Sequence, residues 1–205
     1  MLVNFTPAAW WYMEIPRTAS TTIDRNLRAL FPTAHAIYQK HWPVTPELKY
    51  SDLLKGQSII SIRNPFSRAV SCWQFFTVPG RISFVDWLQD RLRYGFTDIA
   101  IEARPQAYWF NLHKGFWTHI LRQEYLESDF RELLPKLGFA GEYKIQKFND
   151  INGPWTNRCG AKVTRTQRWQ DYYCYDSREL VLKLYAEDFE CLSEYYTTAF
   201  PDVYE

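Results

Sequence analysis

Trp10-Trp-Tyr-Met-Glu-Ile-Pro-Arg-Thr-Ala-Ser-Thr-Thr22 runs from a short β-favouring stretch, Trp10 to Ile15, through a proline into a cation and a cluster of hydroxyls. Beyond it Ile23, Leu27 and Leu30 recur at helical spacing until Phe31-Pro32. The reading is strand, turn, helix. Ala34 to Tyr38 reads as a second strand, Thr45 to Lys55 as a short helix begun by Thr45-Pro46, and Ser58 to Ile62 as a buried strand that is almost wholly apolar. Asn64-Pro65 then opens a helix with Phe66, Val70 and Trp73 on one face. Strands separated by helices imply a parallel sheet with right-handed crossovers, an α/β architecture whose ligands sit outside the carboxyl ends of the strands. The remainder reads as mostly helical: Phe84 to Arg93, Glu127 to Leu137 before Gly138, and Ser177 to Tyr196 with Leu180, Leu184, Phe189 and Leu192 as its apolar stripe. Tyr143 to Phe148 reads as a further strand.

Length and composition agree with this reading. The 205 residues favour one domain, residues 1–205, and 46% hydrophobic against 23% charged residues excludes disordered and low-complexity chains. A net charge of +1 provides no general field for coating nucleic acid or an anionic membrane, so any anion must be bound locally. Aromatic residues make 18% of the chain, enough for some to line a binding surface. Cys72, Cys159, Cys174 and Cys191 contain no C-x-x-C pair, so reduced thiols are the default, with one bridge between Cys159 and Cys174 left open. The opening Met1-Leu-Val-Asn-Phe-Thr-Pro lacks the features of a secretory signal, and no apolar run reaches the length of a membrane span. The expectation is a cytoplasmic protein.

Pro16-Arg17-Thr18-Ala19-Ser20-Thr21-Thr22 sits where a strand turns into a helix, so its cation, hydroxyls and unpaired backbone N–H groups make an anion cradle. The alternative is that Ser20 or Thr21 only caps the helix. The glycines and Lys-Ser/Thr ending of a Walker A loop are missing, which argues against nucleoside triphosphate hydrolysis. The second segment, Ile62-Arg-Asn-Pro-Phe-Ser-Arg-Ala-Val-Ser-Cys-Trp73, puts Arg63 at the end of the buried strand and Ser71 inside the next helix. Taken singly, Arg63 is explained by a strand-end salt bridge and Ser71 by a bond to its own backbone. Neither explanation covers both motifs together.

The pair, in this order, resembles the sulfotransferases that use 3′-phosphoadenosine 5′-phosphosulfate (PAPS), specifically the carbohydrate branch containing the heparan 2-O- and chondroitin sulfotransferases. Ile15 to Thr22 is similar to the family's 5′-phosphosulfate loop and Ile62 to Trp73 to its 3′-phosphate motif. Gln123-Glu-Tyr-Leu-Glu-Ser-Asp-Phe130 and the segment ending Leu-Tyr-Ala-Glu-Asp-Phe189 resemble two later family segments. The resemblance implies a P-loop-like three-layer fold with a central, mostly parallel sheet flanked by helices. It implies transfer of a sulfonyl group from PAPS to a hydroxyl, with 3′,5′-ADP (PAP) as product and no metal. Arg17 stands where the family usually has lysine; it keeps the charge but cannot donate a proton at neutral pH.

By that resemblance Arg17 neutralises the leaving phosphate, while Thr18, Ala19, Ser20, Thr21 and Thr22 hold the 5′ end and Arg63 and Ser71 the 3′-phosphate. His41, between the two nucleotide motifs, is the expected base, with His35 and Glu14 as alternatives. His113 and His119 are not spaced to share a helical face, which speaks against a metal pair. Arg158, Lys162, Arg165 and Arg168 either form the loop that relatives place over the nucleotide or make a solvated surface; Arg165 is taken as a phosphate contact. The rings of Trp10, Trp11, Tyr108, Trp109, Phe110, Phe116 and Trp117 are either sugar-stacking or, as is commoner for such runs, core. The acceptor is expected to be a saccharide. Two other readings remain: a P-loop-like small-molecule kinase, for which a Walker lysine and Mg²⁺ ligands are missing from the sequence, and a non-catalytic carbohydrate-binding domain on the same fold.

Overall fold

A computed structural model describes residues 2–5, 10–32, 35–36, 57–78, 80–96, 101–111, 117–148, 155–163 and 167–200. These gather into two compact units through which the chain passes alternately, residues 1–63 with 108–148 and residues 64–107 with 149–205.

The first unit holds the sheet. Its strands are β1 (Leu2–Phe5), β2 (Trp10–Met13), β3 (His35–Ala36), β4 (Gln57–Ile62) and β5 (His119–Arg122), in the spatial order β3-β1-β2-β4-β5. β2, β4 and β5 run parallel, with Tyr12 opposite Ile59 and Ile62 opposite Arg122, whereas β1 is antiparallel to both its neighbours. The fold is α/β with a mostly parallel sheet flanked by helices, as the sequence led us to expect. Trp10, Tyr12, Ile59 and Leu121 share one face of the sheet and pack with Ile23 and Leu27 of α1 (Ser20–Leu30). Phe130, Leu133 and Leu134 of α5 (Leu126–Lys136) join the same core. Alternate residues point the other way, and Trp11, Met13, Ile60 and Ile62 are buried as well. Burial on both faces explains why the middle strand lacks the apolar–polar alternation of a half-exposed one.

The segment Tyr143 to Phe148 is a correction: it is irregular, not a strand. Its polar groups are taken by side chains of α1 instead of by a neighbouring strand. The Asn26 amide donates to the carbonyl of Gln146 at 2.8 Å, and its oxygen accepts from the Gln146 N–H at 2.9 Å and the Tyr143 hydroxyl at 2.8 Å. The Thr22 hydroxyl donates to the carbonyl of Phe148 at 3.0 Å and accepts from its N–H at 3.2 Å.

The second unit begins with α2 (Pro65–Phe76), whose Asn64 cap accepts from the N–H of Phe66 at 2.9 Å and whose Pro65 occupies the first turn. α3 (Phe84–Tyr94) follows, capped by Ser83. The short helix α4 (Ala107–Phe110) ends this stretch where the chain returns to the first unit. The paired strands β6 (Trp155–Thr156) and β7 (Lys162–Val163) then lead to α6 (Tyr175–Leu184) and α7 (Ala186–Cys191). Thus the expected single helix from Ser177 to Tyr196 is two. The break falls at Tyr185, which is buried and donates its hydroxyl to the carbonyl of Ala103 at 3.2 Å, and the next turn tightens as the N–H of Asp188 bonds the carbonyl of Tyr185. Phe66, Val70, Leu88, Val181 and Phe189 form this unit's core. All four cysteines are free, which removes the Cys159–Cys174 bridge. Among the described residues no helix is long and apolar enough to cross a membrane.

Candidate functional site

The carboxyl ends of β2, β4 and β5 lie side by side; β2 and β4 are followed by the charged residues Glu14 and Arg63, and β5 ends on Arg122. Between β2 and α1 the chain makes a tight turn in which Arg17 has φ 66° and Ala19 φ 63°. Both are left-handed, a conformation that costs an L-residue about 1–2 kcal/mol and persists only where the surroundings enforce it. Ala19 is also the N-cap of α1. It has no side-chain oxygen to offer, and the first helical turn carries no acidic residue. A helix start without a side-chain cap leaves N–H groups and the positive end of the helix dipole available to an anion.

The four hydroxyls of this stretch divide. Thr18 and Thr22 turn inward: Thr18 donates to the carbonyl of Ile15 at 2.8 Å and lies 2.6 Å from the Ser61 hydroxyl, while Thr22 is engaged with Phe148. Ser20 and Thr21 have no side-chain hydrogen bond among the described residues. Arg63 is largely buried and donates to the carbonyl of Arg17 at 3.3 Å. The structure therefore brings Arg17, Thr18, Ala19, Ser20, Thr21, Thr22 and Arg63 together in one unit. Ser71 is buried in α2 of the other unit. His41, His113, Phe116 and Arg165 lie outside the described residues, and His35 is paired in β3 with Asn4.

Other residues singled out in the sequence have structural surroundings. Glu14 is fully buried, and its charge, after burial itself, helps to raise the Tyr12 hydroxyl pKa well above its usual value. His119 packs on the Trp10 ring at 4.9 Å; burial, then the Lys136 charge, lower its pKa. Trp10, Trp11 and Trp109 are core residues. Arg158 pairs with Glu102 at 3.3 Å and Arg168 with Asp171 at 3.3 Å. Both Asp-Phe segments prove to be clamps. Asp129 accepts from the Arg122 guanidinium at 2.6 and 3.0 Å and from its backbone N–H at 2.7 Å. Asp188 accepts from the N–H of Ala107 at 2.7 Å, and burial raises its pKa against the opposing pull of Arg68. Arg68 is itself fully buried and holds the carbonyls of Arg104 and Glu102 at 2.8 and 2.9 Å.

Sequence reasoning passed over Tyr12 and Ser61. Their hydroxyls are 3.0 Å apart, and Ser61 joins Tyr12 to Thr18. The available signal was a serine within the apolar run Ile59-Ile-Ser-Ile62.

Among the described residues no group of three or more His, Cys, Asp or Glu side chains is placed to hold a metal ion. No curated protein and no solved structure matches the chain significantly. The sulfotransferase family profile, however, matches residues 10–196, a span that takes in the turn, the strand ending at Arg63, α2 and both Asp-Phe clamps. The chain belongs to the sulfotransferase family, and its activity is the transfer of a sulfonyl group.

Proposed function

We propose that this protein transfers a sulfonyl group from PAPS to a hydroxyl of a saccharide, and that the two units act together as one transferase domain. The family match running through both units supports the second point. The observation that carries the donor assignment is the start of α1. A helix N-terminus with no side-chain cap and no acid follows a left-handed turn carrying Arg17, and Arg63 is bonded to that same turn. These residues fit an anionic donor. When bound, PAPS supplies the activated sulfonyl group and PAP is released.

In this reading the backbone N–H groups around Ala19 and the hydroxyls of Ser20 and Thr21 hold the 5′ end, and the Arg17 guanidinium neutralises the charge that develops on the leaving phosphate. Such a donor is worth about 3 kcal/mol. Thr18 and Thr22 contribute through their backbone, because their hydroxyls are spent inside the protein. Arg63 and Ser71 hold the 3′-phosphate, with Arg165 as a further contact. His41 takes the acceptor's proton, a task for which an imidazole pKa of about 6.5 is suited. Full burial of Glu14 favours the histidine over that carboxylate, which is closed to an acceptor. The likeness of the two nucleotide motifs to those of the carbohydrate branch supports a saccharide acceptor, and the near-zero net charge gives no reason to invoke nucleic acid.

Thermal melting with PAP, with ATP and without nucleotide, followed by transfer of radiolabelled sulfonate to a panel of saccharides, tests this reading. PAP is expected to raise the melting temperature and ATP to leave it nearly unchanged. The opposite order would favour a kinase, and PAP binding without label transfer to any saccharide would remove the activity assigned here.

A further inference from the structure

We propose that Ser61, in the interior of β4, is a positioning residue for the anion-holding turn: the hydroxyl chain Tyr12–Ser61–Thr18 pins the turn in its left-handed form. This rests on the reading that the turn holds the 5′ end of the donor.

The chain has one possible direction. Thr18 has a single hydroxyl proton, which goes to the carbonyl of Ile15 at 2.8 Å, and a carbonyl can only accept. The hydrogen in the 2.6 Å contact between Thr18 and Ser61 must then come from Ser61. Ser61 has no second proton, so the hydrogen in its 3.0 Å contact with Tyr12 is the phenol's. The bonds therefore run from Tyr12 to Ser61, to Thr18 and to the carbonyl just before Pro16. Tyr12, Ser61 and Thr18 are all fully buried, leaving bulk water no access to replace a lost bond. Burial also raises the Tyr12 pKa well above the usual value of 10.0, so the phenol keeps its proton at any working pH.

The chain ends at the position where backbone control is needed. Thr18 lies between Arg17 and Ala19, both held at positive φ without being glycine. Pinning the residue between them keeps both from relaxing. Arg63, the residue that follows β4, also reaches the turn, so the chain at the carboxyl end of this strand holds it by two independent contacts.

Directionality predicts an order of effects. Ser61→Ala deprives the Tyr12 proton of its acceptor and Thr18 of its donor. Tyr12→Phe removes only the bond entering Ser61. Ser61→Thr retains both. Amide hydrogen exchange of residues 14–20, referred to α3 in the same protein, reads the turn without ligand, and calorimetric titration with PAP reads its function. Ser61→Ala is expected to speed exchange in the turn and weaken PAP binding, each about tenfold, the effect of losing the buried hydrogen bond that reaches Thr18. The acceptor KM should stay unchanged, Tyr12→Phe should be intermediate, and Ser61→Thr should restore both readings to within about twofold of wild type.

Unchanged exchange in the turn of Ser61→Ala overturns the inference, as does a larger effect for Tyr12→Phe than for Ser61→Ala. If Ser61→Ala does not fold, the other two variants decide: faster exchange in Tyr12→Phe with wild-type exchange in Ser61→Thr supports the chain, and equal rates refute it. Failure of wild-type protein to bind PAP would refute the donor reading, while the exchange experiment would still decide the role of Ser61.

Discussion

Asn26 is where the packing behind the candidate site can be tested most sharply. Its side chain is buried and makes four hydrogen bonds, donating to the carbonyls of Thr22 at 2.6 Å and Gln146 at 2.8 Å while accepting from the Tyr143 hydroxyl and the Gln146 N–H. No bonding capacity is left over. In Asn26→Ala all four are lost, each worth about 1 kcal/mol net. Gln146 is exposed and can turn to water, so the expected cost is about 3 kcal/mol. For a chain of this size that lowers the melting temperature by about 6–12 °C, measurable by calorimetry or circular dichroism. Asn26→Asp has the same shape but at neutral pH points a carboxylate at two carbonyl oxygens. It should melt lower still and recover on acidification, because only the protonated acid can donate. The sign follows from a folded pKa raised above the usual value of about 3.9, which gives a contribution present in acid and lost as pH rises through the raised pKa. Asn26→Ala melting within 2 °C of wild type, or Asn26→Asp with no recovery in acid, would refute the reasoning.

Other expectations are more compact. His119 has a lowered pKa, so it contributes stability above its usual 6.5 that is lost as pH falls through the lowered value; His119→Gln should flatten that limb of the melting-temperature profile. Asp188 has a raised pKa, so its contribution is present below the usual 3.8 and lost as pH rises through the raised value. Asp188→Asn should remove that dependence while keeping an acceptor for the Ala107 N–H, whereas Asp188→Ala should cost about 3 kcal/mol in chemical denaturation. Arg63→Ala should weaken PAP binding with a modest effect on saturated turnover, and equal affinity would contradict its assignment. His41→Ala should lower turnover with little change in nucleotide affinity, and wild-type turnover should fall below about pH 6.5. A flat acid limb would point to another base.

The sequence by itself determined the α/β class, the strand–turn–helix at Trp10 to Leu30, the buried strand ending at Arg63 and the Asn64-Pro65 helix start. These depend on local quantities: side-chain period, capping chemistry and the fixed φ of proline. It also supplied the two motifs that carry the resemblance to the family whose profile matches residues 10–196. Only the tertiary structure decided which loop hydroxyls are spent on bonds within the protein, because Thr18 and Ser20 differ by the partners that folding brings to them and not by composition. Likewise it took long-range bonds to turn Tyr143 to Phe148 from a strand into an irregular segment, and to break the last long helix at Tyr185. A residue's periodicity is set by its neighbours in the chain, whereas the partner of a buried polar group is set by whatever folding brings beside it. Ser61 illustrates the difference: an isolated polar residue in an apolar strand until Tyr12 and Thr18 close on it from either side.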